Sequence, residues 1–238
     1  MKKIAFAFLA AFVLLNACMN GPRVKGDGNM TSETKTPGDF TGVESHGSFD
    51  VYLTQGSSAG IKIEGEQNII SYIDIRIENG ILNIDTKDNV WLDPTHTVKI
   101  YVTAPSYRRI QNTGSGNMAG QTKLSNDAKM DIGSTGSGTL TLDVDAPEIE
   151  TSITGSGEVS LSGETKKFSA EVTGSGDLNA LNLMTEESNV GITGSGNISV
   201  YSSVKLDASI SGSGDVRYKG NAQVKSDISG SGDVTKVD

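Results

Sequence analysis

The sequence predicts an all-β protein, a right-handed, single-stranded parallel β-helix whose start is formed by an N-terminal strand and hairpin region. The tetrapeptide Thr/Ser-Gly-Ser-Gly occurs seven times from residue 111 onward, at intervals of 18 to 22 residues. Apolar and polar residues alternate on both sides of the motif, as at Phe168, Ala170 and Val172. A period near 20 residues is typical of a solenoid, in which each repeat buries its apolar face against its neighbours.

The glycines of the motif have a physical explanation in such a fold. Each coil must turn between short strands, and glycine adopts positive φ at such a corner without steric cost. Coils stacked in register place equivalent residues about 4.8 Å apart, the spacing of paired strands. Small residues allow the corners to stack tightly. We therefore predict that the seven corners form one row, roughly 30 Å long.

Residues 39–110 are predicted to form the strands at which the helix starts. The segment 48–54 alternates between apolar and polar residues, as a strand with one buried face does. Asn79 and Gly80 follow a second alternating run, and both tolerate positive φ, which is typical of a hairpin turn. Residues 111–238 carry the repeats. We interpret residues 39–238 as one domain.

The first residues predict export. A basic start precedes an apolar run over residues 4–15, which has 12 residues. A helix that spans a bilayer needs roughly 20. The run is typical of a signal peptide, and we predict that residues 1–17 are removed. It ends in Leu15-Asn16-Ala17-Cys18, which resembles the lipobox of bacterial lipoproteins and implies lipidation of Cys18.

Cys18 is the only cysteine of the chain, so an internal disulfide is excluded. The predicted membrane contact is a lipid anchor at Cys18. Residues 18–38 lack an apolar period and are rich in Gly, Thr and charge, which predicts a lipidated flexible tether. We expect the protein in the bacterial cell envelope, at the outer membrane, facing either the periplasm or the exterior.

The charge of the chain argues against nucleic acid as a partner. The formal net charge is −9, and it becomes −11 when Lys2 and Lys3 leave with the signal peptide. An acidic domain repels phosphate backbones.

The residues that follow the Gly-Ser-Gly motifs are the only candidates for a metal site. Several carry carboxylates, and hard cations such as Ca²⁺ prefer oxygen ligands. Thr139 and Asn197 interrupt the row, stacked carboxylates would repel one another, and Asp and Asn are common at turns. We therefore predict no metal and no cofactor. The candidate ligands, should a cation bind, are Asp177, Asp215 and Asp233.

Histidines and aromatic residues do not form a recognisable catalytic pattern. His46 and His96 are 50 residues apart and have no Cys or His neighbour at ligand spacing. Trp91, Tyr101 and Tyr107 are interpreted as packing residues at the start of the coil, with a sugar-stacking patch as the alternative. We predict that the protein is not an enzyme.

The opening segment from Gly47 to Gly56 and the repeated Gly-Ser-Gly-Asp/Asn units carry a family resemblance. With the Asn79-Gly80 hairpin and the element Val102-Thr103-Ala104-Pro105, they occur in the order typical of one family. The chain resembles the putative auto-transporter adhesin, head GIN domain family over about residues 39–238. The resemblance implies a β-helix and a cell-envelope location, and it supplies no catalytic residues.

Three functions remain open at this point. The first is a non-catalytic lipoprotein adhesin that presents a β-helical surface to glycan or protein ligands. The second is a periplasm-facing structural or envelope-homeostasis lipoprotein, and the third is a polysaccharide lyase or hydrolase, the least favoured. An uncovered terminal coil would expose unpaired strand edges, which predicts weak self-association.

Overall fold

The computed structural model describes residues 21–87 and 90–238. The predicted signal peptide, residues 1–17, and Cys18 lie outside the described residues. Parallel strands stack into a β-solenoid of about seven turns, which confirms the predicted parallel β-helix. In the described residues the strands are β1 (Arg23–Lys25), β2 (Met30–Lys35), β3 (Gly42–Gly47), β4 (Asp50–Gln55), β5 (Gly60–Glu66), β6 (Ile73–Glu78), β7 (Ile81–Thr86), β8 (Trp91–Asp93), β9 (Lys99–Ala104), β10 (Arg109–Gly114), β11 (Met118–Gly120), β12 (Leu124–Ser125), β13 (Met130–Gly136), β14 (Thr139–Gly155), β15 (Glu158–Gly174), β16 (Asp177–Gly194), β17 (Asn197–Tyr201), β18 (Lys205–Gly212), β19 (Val216–Lys219), β20 (Gln223–Gly230) and β21 (Val234–Lys236). A short helix, α1 (Gln67–Ile70), lies between β5 and β6 and buries two isoleucines.

The glycine corners form the single row that the repeats predict. Each first glycine of a motif is in register with the first glycine of the neighbouring coil. Gly47 is paired with Gly114 and extends the row to eight glycines. All eight have positive φ, between +111° and +138°. The N–H of Ser175 donates to the carbonyl of Gly155 at 2.8 Å, and equivalent bonds join the other corners. Backbone hydrogen bonds therefore continue through the corners.

The order of the first coils in space differs from their order in the chain. Strand β3 pairs with β7 on one side and with β10 on the other. Strand β4 likewise lies between β9 and β11. The coil of β3 and β4 comes first in the chain but second in the stack. The first coil of the stack is formed by β7 and β9, which come later in the chain.

Antiparallel strands close this end of the solenoid. Strand β5 pairs with β9, β2 pairs with β5, and β6 pairs with β7 in the hairpin that Asn79 and Gly80 predict. We call strands β1, β2, β5, β6 and β8 together with α1 the cap. The cap differs from the sequence prediction for residues 18–38.

A flexible tether through residue 38 is wrong for residues 23–25 and 30–35, which form β1 and β2. Strand β2 is held by its pairing with β5, while five of its six side chains are exposed. A strand held by backbone hydrogen bonds at an edge does not need alternating apolar side chains. Its sequence consequently lacks the pattern by which strands are recognised.

Stacked apolar side chains fill the interior. Leu140, Val159, Leu178, Ile198 and Val216 follow one another in register through five coils, and each is at most 2% exposed. Full burial of one such side chain contributes roughly 1.5–3 kcal/mol. The alternation predicted from the sequence thus corresponds to a continuous core. Among residues 21–87 and 90–238, no helix has the length and apolar character needed to cross a bilayer.

Candidate ligand-binding surfaces

Four of the residues that follow a Gly-Ser-Gly motif, Asp177, Asn197, Asp215 and Asp233, form a ladder of polar side chains at the start of successive strands. The Oδ1 atom of Asp177 accepts hydrogen bonds from the backbone N–H of Asn197 at 3.1 Å and from its Nδ2 at 2.9 Å. Oδ1 of Asn197 accepts from the N–H of Asp215 at 3.2 Å, and Oδ1 of Asp215 accepts from that of Asp233 at 3.1 Å. Asp177, Asn197 and Asp215 therefore each join their own coil to the next one.

This ladder explains the preference for Asp and Asn at these positions, since both have a side-chain oxygen at the required reach. Asp177, Asp215 and Asp233 occupy separate coils, with Asn197 between the first two. Asp233 uses its second oxygen to accept from the hydroxyl of Thr235 at 2.8 Å. In the part of the chain that the structure describes, no three His, Cys, Asp or Glu residues are grouped so as to hold a metal ion.

A groove of about 390 Å³ lies at another corner of the solenoid. We call it the side groove; it is formed by residues 145–147, 164–166 and 184–186, with Tyr201 and Ser203. The three segments come from the long strands β14, β15 and β16, which continue through this corner. The buried side chains of Ala146, Thr165 and Thr185 stack in register beneath it. The groove thus crosses three consecutive coils.

Threonine hydroxyls fix the backbone under the side groove. The hydroxyl of Thr165 donates to the carbonyl of Lys167 at 3.1 Å, and Thr185 forms a 2.8 Å hydrogen bond with Ser188. Thr185 also donates to the carbonyl of Tyr201. Hydrogen-bonded buried hydroxyls make the floor of the groove rigid.

The rim of the side groove combines charge with exposed apolar surface. Glu164, Lys166 and Glu186 are exposed, and Asp145 is half-buried. Met184 is 49% exposed although it is apolar. Carboxylates accept hydrogen bonds from hydroxyl or amide groups, and an exposed thioether gives adaptable apolar contact. This combination suits glycan hydroxyls or a polypeptide.

A second hollow of about 390 Å³ lies beside the cap. It is lined by residues 47–49, 86, 90–92 and 94–98. Trp91 lies there with 52% of its surface exposed, which differs from the predicted packing role. Tyr107 is buried, as the packing interpretation predicts, and its hydroxyl faces the carbonyls of Thr54 and Val102, each at 3.0 Å.

Tyr101 lies elsewhere and stacks on Tyr52, with ring centroids 5.1 Å apart. The sugar-stacking patch of three aromatic residues that the sequence left open is therefore not formed. The two histidines are also separate: His46 is paired in register with Thr113 on a face of the solenoid, whereas His96 lines the hollow beside the cap.

A buried carboxylate in the cap, Glu66, was not predicted from the sequence. Its Oε1 accepts from the N–H of Gly28 at 2.7 Å and from the hydroxyl of Thr95 at 2.6 Å. Its Oε2 accepts from the N–H of Thr95 at 2.8 Å and from that of His96 at 3.4 Å. The Thr95 hydroxyl first, and then these backbone N–H groups, lower the pKa of Glu66 from 4.5 to about 2 although burial opposes the shift.

Glu66 thus holds the segment before β2 against the loop after β8. No sequence signal marks this role, because a single Glu at the end of a strand is ordinarily a surface residue. The three residues that donate to it come from two distant parts of the chain.

Comparison with known proteins agrees with this architecture. A family model described as putative auto-transporter adhesin, head GIN domain, matches residues 39–222. The chain belongs to this family. Membership in this adhesin-type family indicates a cell-envelope or surface protein. No curated protein matches the chain.

Several solved structures resemble this GIN-domain chain over nearly its full length. A putative lipid binding protein from Parabacteroides distasonis is 26% identical, with a TM-score of 0.74, and the alignment covers 91% of this chain and 100% of that one. A putative adhesin from Parabacteroides merdae is 25% identical, with a TM-score of 0.75 and coverage of 91% and 99%. A putative adhesin from Bacteroides fragilis has a TM-score of 0.84 at 21% identity, covers 90% and 100%, and shows the shared fold alone.

Proposed function

We propose that this chain is a non-catalytic adhesin of the bacterial cell envelope that binds a glycan or protein ligand in the side groove. The observation that carries the proposal is the groove itself, which crosses three coils on a rigid floor and exposes Met184 between carboxylates. Membership in the adhesin family supports it. The solenoid supplies the rigid support from which such a surface is presented.

The anchor is part of the same proposal. The apolar run over residues 4–15 and the sequence Leu15-Asn16-Ala17-Cys18 support export and lipidation of Cys18. Mass spectrometry of the N-terminal peptide from the native host tests this, since lipidation adds acyl chains to Cys18. Cys18→Ser is expected to release the protein from the membrane fraction. A wild-type protein that begins at Cys18 without acyl chains would contradict the anchor.

Binding of a ligand is tested with the Cys18→Ser protein on glycan and matrix-protein arrays at micromolar concentration. For a ligand found there, Glu164→Gln combined with Glu186→Gln is expected to weaken binding about tenfold, which corresponds to about 1.4 kcal/mol. Glu171→Gln is the matched control, because Glu171 is an exposed carboxylate outside the groove. Absence of any ligand, or equal loss in control and groove variants, would contradict the proposal.

Protease treatment of whole cells decides between the adhesin and the periplasm-facing lipoprotein. The second function is favoured by the residues after Cys18, Met19-Asn20-Gly21-Pro22, because they carry no acidic cluster of the kind that some related bacteria use for surface export. An adhesin on the surface is cleaved in intact cells. A domain that is cleaved only after the outer membrane is opened would establish the periplasm-facing alternative. Release of reducing ends from acidic glycans would instead establish the lyase or hydrolase.

A further inference from the structure

The chain is part of the folded cap from Pro22 onward, four residues after the proposed anchor at Cys18. The N–H of Trp91 donates to the carbonyl of Pro22 at 3.1 Å. Strand β1 then runs parallel to β8, with Arg23 paired with Trp91 and Lys25 with Asp93. The guanidinium of Arg23 lies 2.9 Å from the carboxylate of Asp93.

Further hydrogen bonds hold the end of β1 and the turn after it. The N–H of Gly26 donates to the carbonyl of Asp93 at 2.9 Å, and Nδ2 of Asn68 donates to the carbonyl of Lys25 at 2.7 Å. The N–H of Gly28 reaches the buried Glu66 carboxylate at 2.7 Å. Residues 22–28 therefore belong to the fold and do not extend the tether.

The distance between a lipid on Cys18 and the domain is consequently short. Three residues, 19–21, separate Cys18 from Pro22. A fully extended chain spans at most about 3.6 Å per residue, so Pro22 lies within about 14 Å of Cys18. That limit is about twice the thickness of a lipid headgroup region, which is roughly 5–8 Å per leaflet. A lipid on Cys18 therefore holds the Pro22 end of the cap within about 10 Å of the outer edge of the headgroups.

An exposed tryptophan lies at this same end. The backbone of Trp91 is hydrogen-bonded to Pro22, and its side chain is 52% exposed. The exposed basic residues Arg23 and Lys25 lie on the neighbouring strand. Indole rings are favoured at the boundary between lipid tails and headgroups, because they join an apolar ring to a polar N–H. Basic side chains are attracted to lipid phosphates.

We propose that the surface formed by Pro22, Arg23, Lys25 and Trp91 is the membrane-contacting face of the domain, with Trp91 in the lipid interface. The inference rests on the proposed lipid anchor and determines the orientation of the domain. The side groove begins at β14, three strand steps from β9, and ends at β16, five steps away. At about 4.8 Å per step, the groove lies roughly 15–25 Å farther along the solenoid than β9, the strand on which the cap strand β5 pairs.

Two properties of the sequence make a direct test available. Trp91 is the only tryptophan, and Cys18 is the only cysteine. The mature chain is coupled through Cys18 to a maleimide lipid in vesicles of phosphatidylethanolamine and phosphatidylglycerol, some of whose lipids carry bromine on the acyl chains. Trp91 fluorescence is expected to shift to shorter wavelength and to lose at least about a third of its intensity. Coupling bypasses natural lipidation, so failure here is distinguishable from failure of the anchor in mass spectrometry.

The matched control moves the anchor to the other end of the solenoid. Cys18→Ser combined with Lys236→Cys attaches the chain through an exposed position on β21, and quenching is expected to fall to the level of uncoupled protein. Equal quenching from both anchors, or none from Cys18, overturns the inference. A ligand from the arrays that changes Trp91 fluorescence in the uncoupled protein also overturns it, since the hollow would then be a ligand site.

A second measurement does not depend on fluorescence. With one acyl chain on Cys18, vesicle binding is marginal, so a further contact changes it measurably. Trp91→Ser is expected to lower partitioning about five- to tenfold, whereas Met184→Ser, in the side groove, leaves it unchanged. An equal effect of the two substitutions refutes a membrane role for Trp91.

Discussion

Gly174→Ala tests the physical basis of the solenoid. Gly174 belongs to the row of corners and has a φ of +115°. A Cβ at this position would lie 2.5 Å from the carbonyl oxygen of Gly155 in the preceding coil. That contact is with backbone, which cannot rotate away as a flexible side chain does. The substitution therefore opposes both the dihedral angle and the spacing of the coils.

The two effects have separate magnitudes. A non-glycine residue at such a φ costs about 1–3 kcal/mol. Forcing a methyl group into a packed contact costs about another 1–3 kcal/mol. We expect Gly174→Ala to lower the free energy of unfolding by about 2–6 kcal/mol. With a urea dependence of up to about 3 kcal/mol per molar, the unfolding midpoint falls by roughly 0.7 M or more.

Three other glycines separate these contributions in urea unfolding followed by circular dichroism. Gly28 has a φ of +78° but open space at its Cβ position, so Gly28→Ala isolates the dihedral cost. A Cβ on Gly176 would lie 2.7 Å from the Gly157 carbonyl oxygen without a positive φ, so Gly176→Ala isolates the contact. Gly60 has neither constraint, and Gly60→Ala is the control.

The expected order of destabilisation is Gly174→Ala first, Gly176→Ala and Gly28→Ala next, and Gly60→Ala last. A Gly174→Ala protein that unfolds at the same urea concentration as Gly60→Ala would refute the stacked corner. It would mean that neighbouring coils separate without cost at this position.

Three further changes test the core, the buried carboxylate and the polar ladder. Phe168→Ala removes a side chain that is 1% exposed and is expected to lower the free energy of unfolding in urea by about 3–5 kcal/mol. The control Met184→Ala should stay within about 0.5 kcal/mol of wild type. Equal effects of the two substitutions would contradict the assigned core. Glu66→Gln is expected to lower the urea midpoint at pH 7. Because the folded-state pKa of about 2 lies below the ordinary 4.5, the stabilisation by the carboxylate is complete above pH 4.5 and is lost as the pH falls through 2. The difference in midpoint from wild type should therefore shrink over that range, and a constant difference would contradict the assigned hydrogen bonds. Asp177→Ala removes the oxygen that accepts from Asn197 and should lower the free energy of unfolding by about 0.5–1.5 kcal/mol, whereas Asp177→Asn, which keeps an acceptor, costs less. Millimolar Ca²⁺ is expected to leave the urea midpoint of the wild type unchanged. A rise in the midpoint that Asp177→Ala abolishes would show a metal site.

The repeats were predictable because they are determined locally. A glycine corner depends on φ at one residue, and a buried strand depends on alternation over a few residues, as around Phe168 and Val172. Asp177 was also singled out from its position, but its hydrogen bonds to Asn197 of the next coil became evident only when the register was known.

The cap was less predictable because distant backbone segments create it. Strand β2 pairs with β5 through backbone groups that every residue carries, so its sequence has no distinguishing pattern. The role of Glu66 also leaves no pattern in the sequence, because its hydrogen-bond donors are distant in the chain. Thr95 lies 29 residues away and Gly28 lies 38 residues away. The two exposed hollows are likewise formed by segments that are separate in sequence.

The sequence by itself determined the class of fold, the row of seven glycine corners and the family, since short-range geometry repeats in each coil. Only the tertiary structure decided that the coil of β3 and β4 is stacked between that of β7 and β9 and that of β10 and β11. The same holds for the inclusion of residues 22–35 in the cap and for the exposure of Trp91 beside Pro22. The physical reason is that strand pairing uses backbone hydrogen bonds, which are the same for every amino acid except proline. Which segments meet is therefore set by the packing of the whole chain.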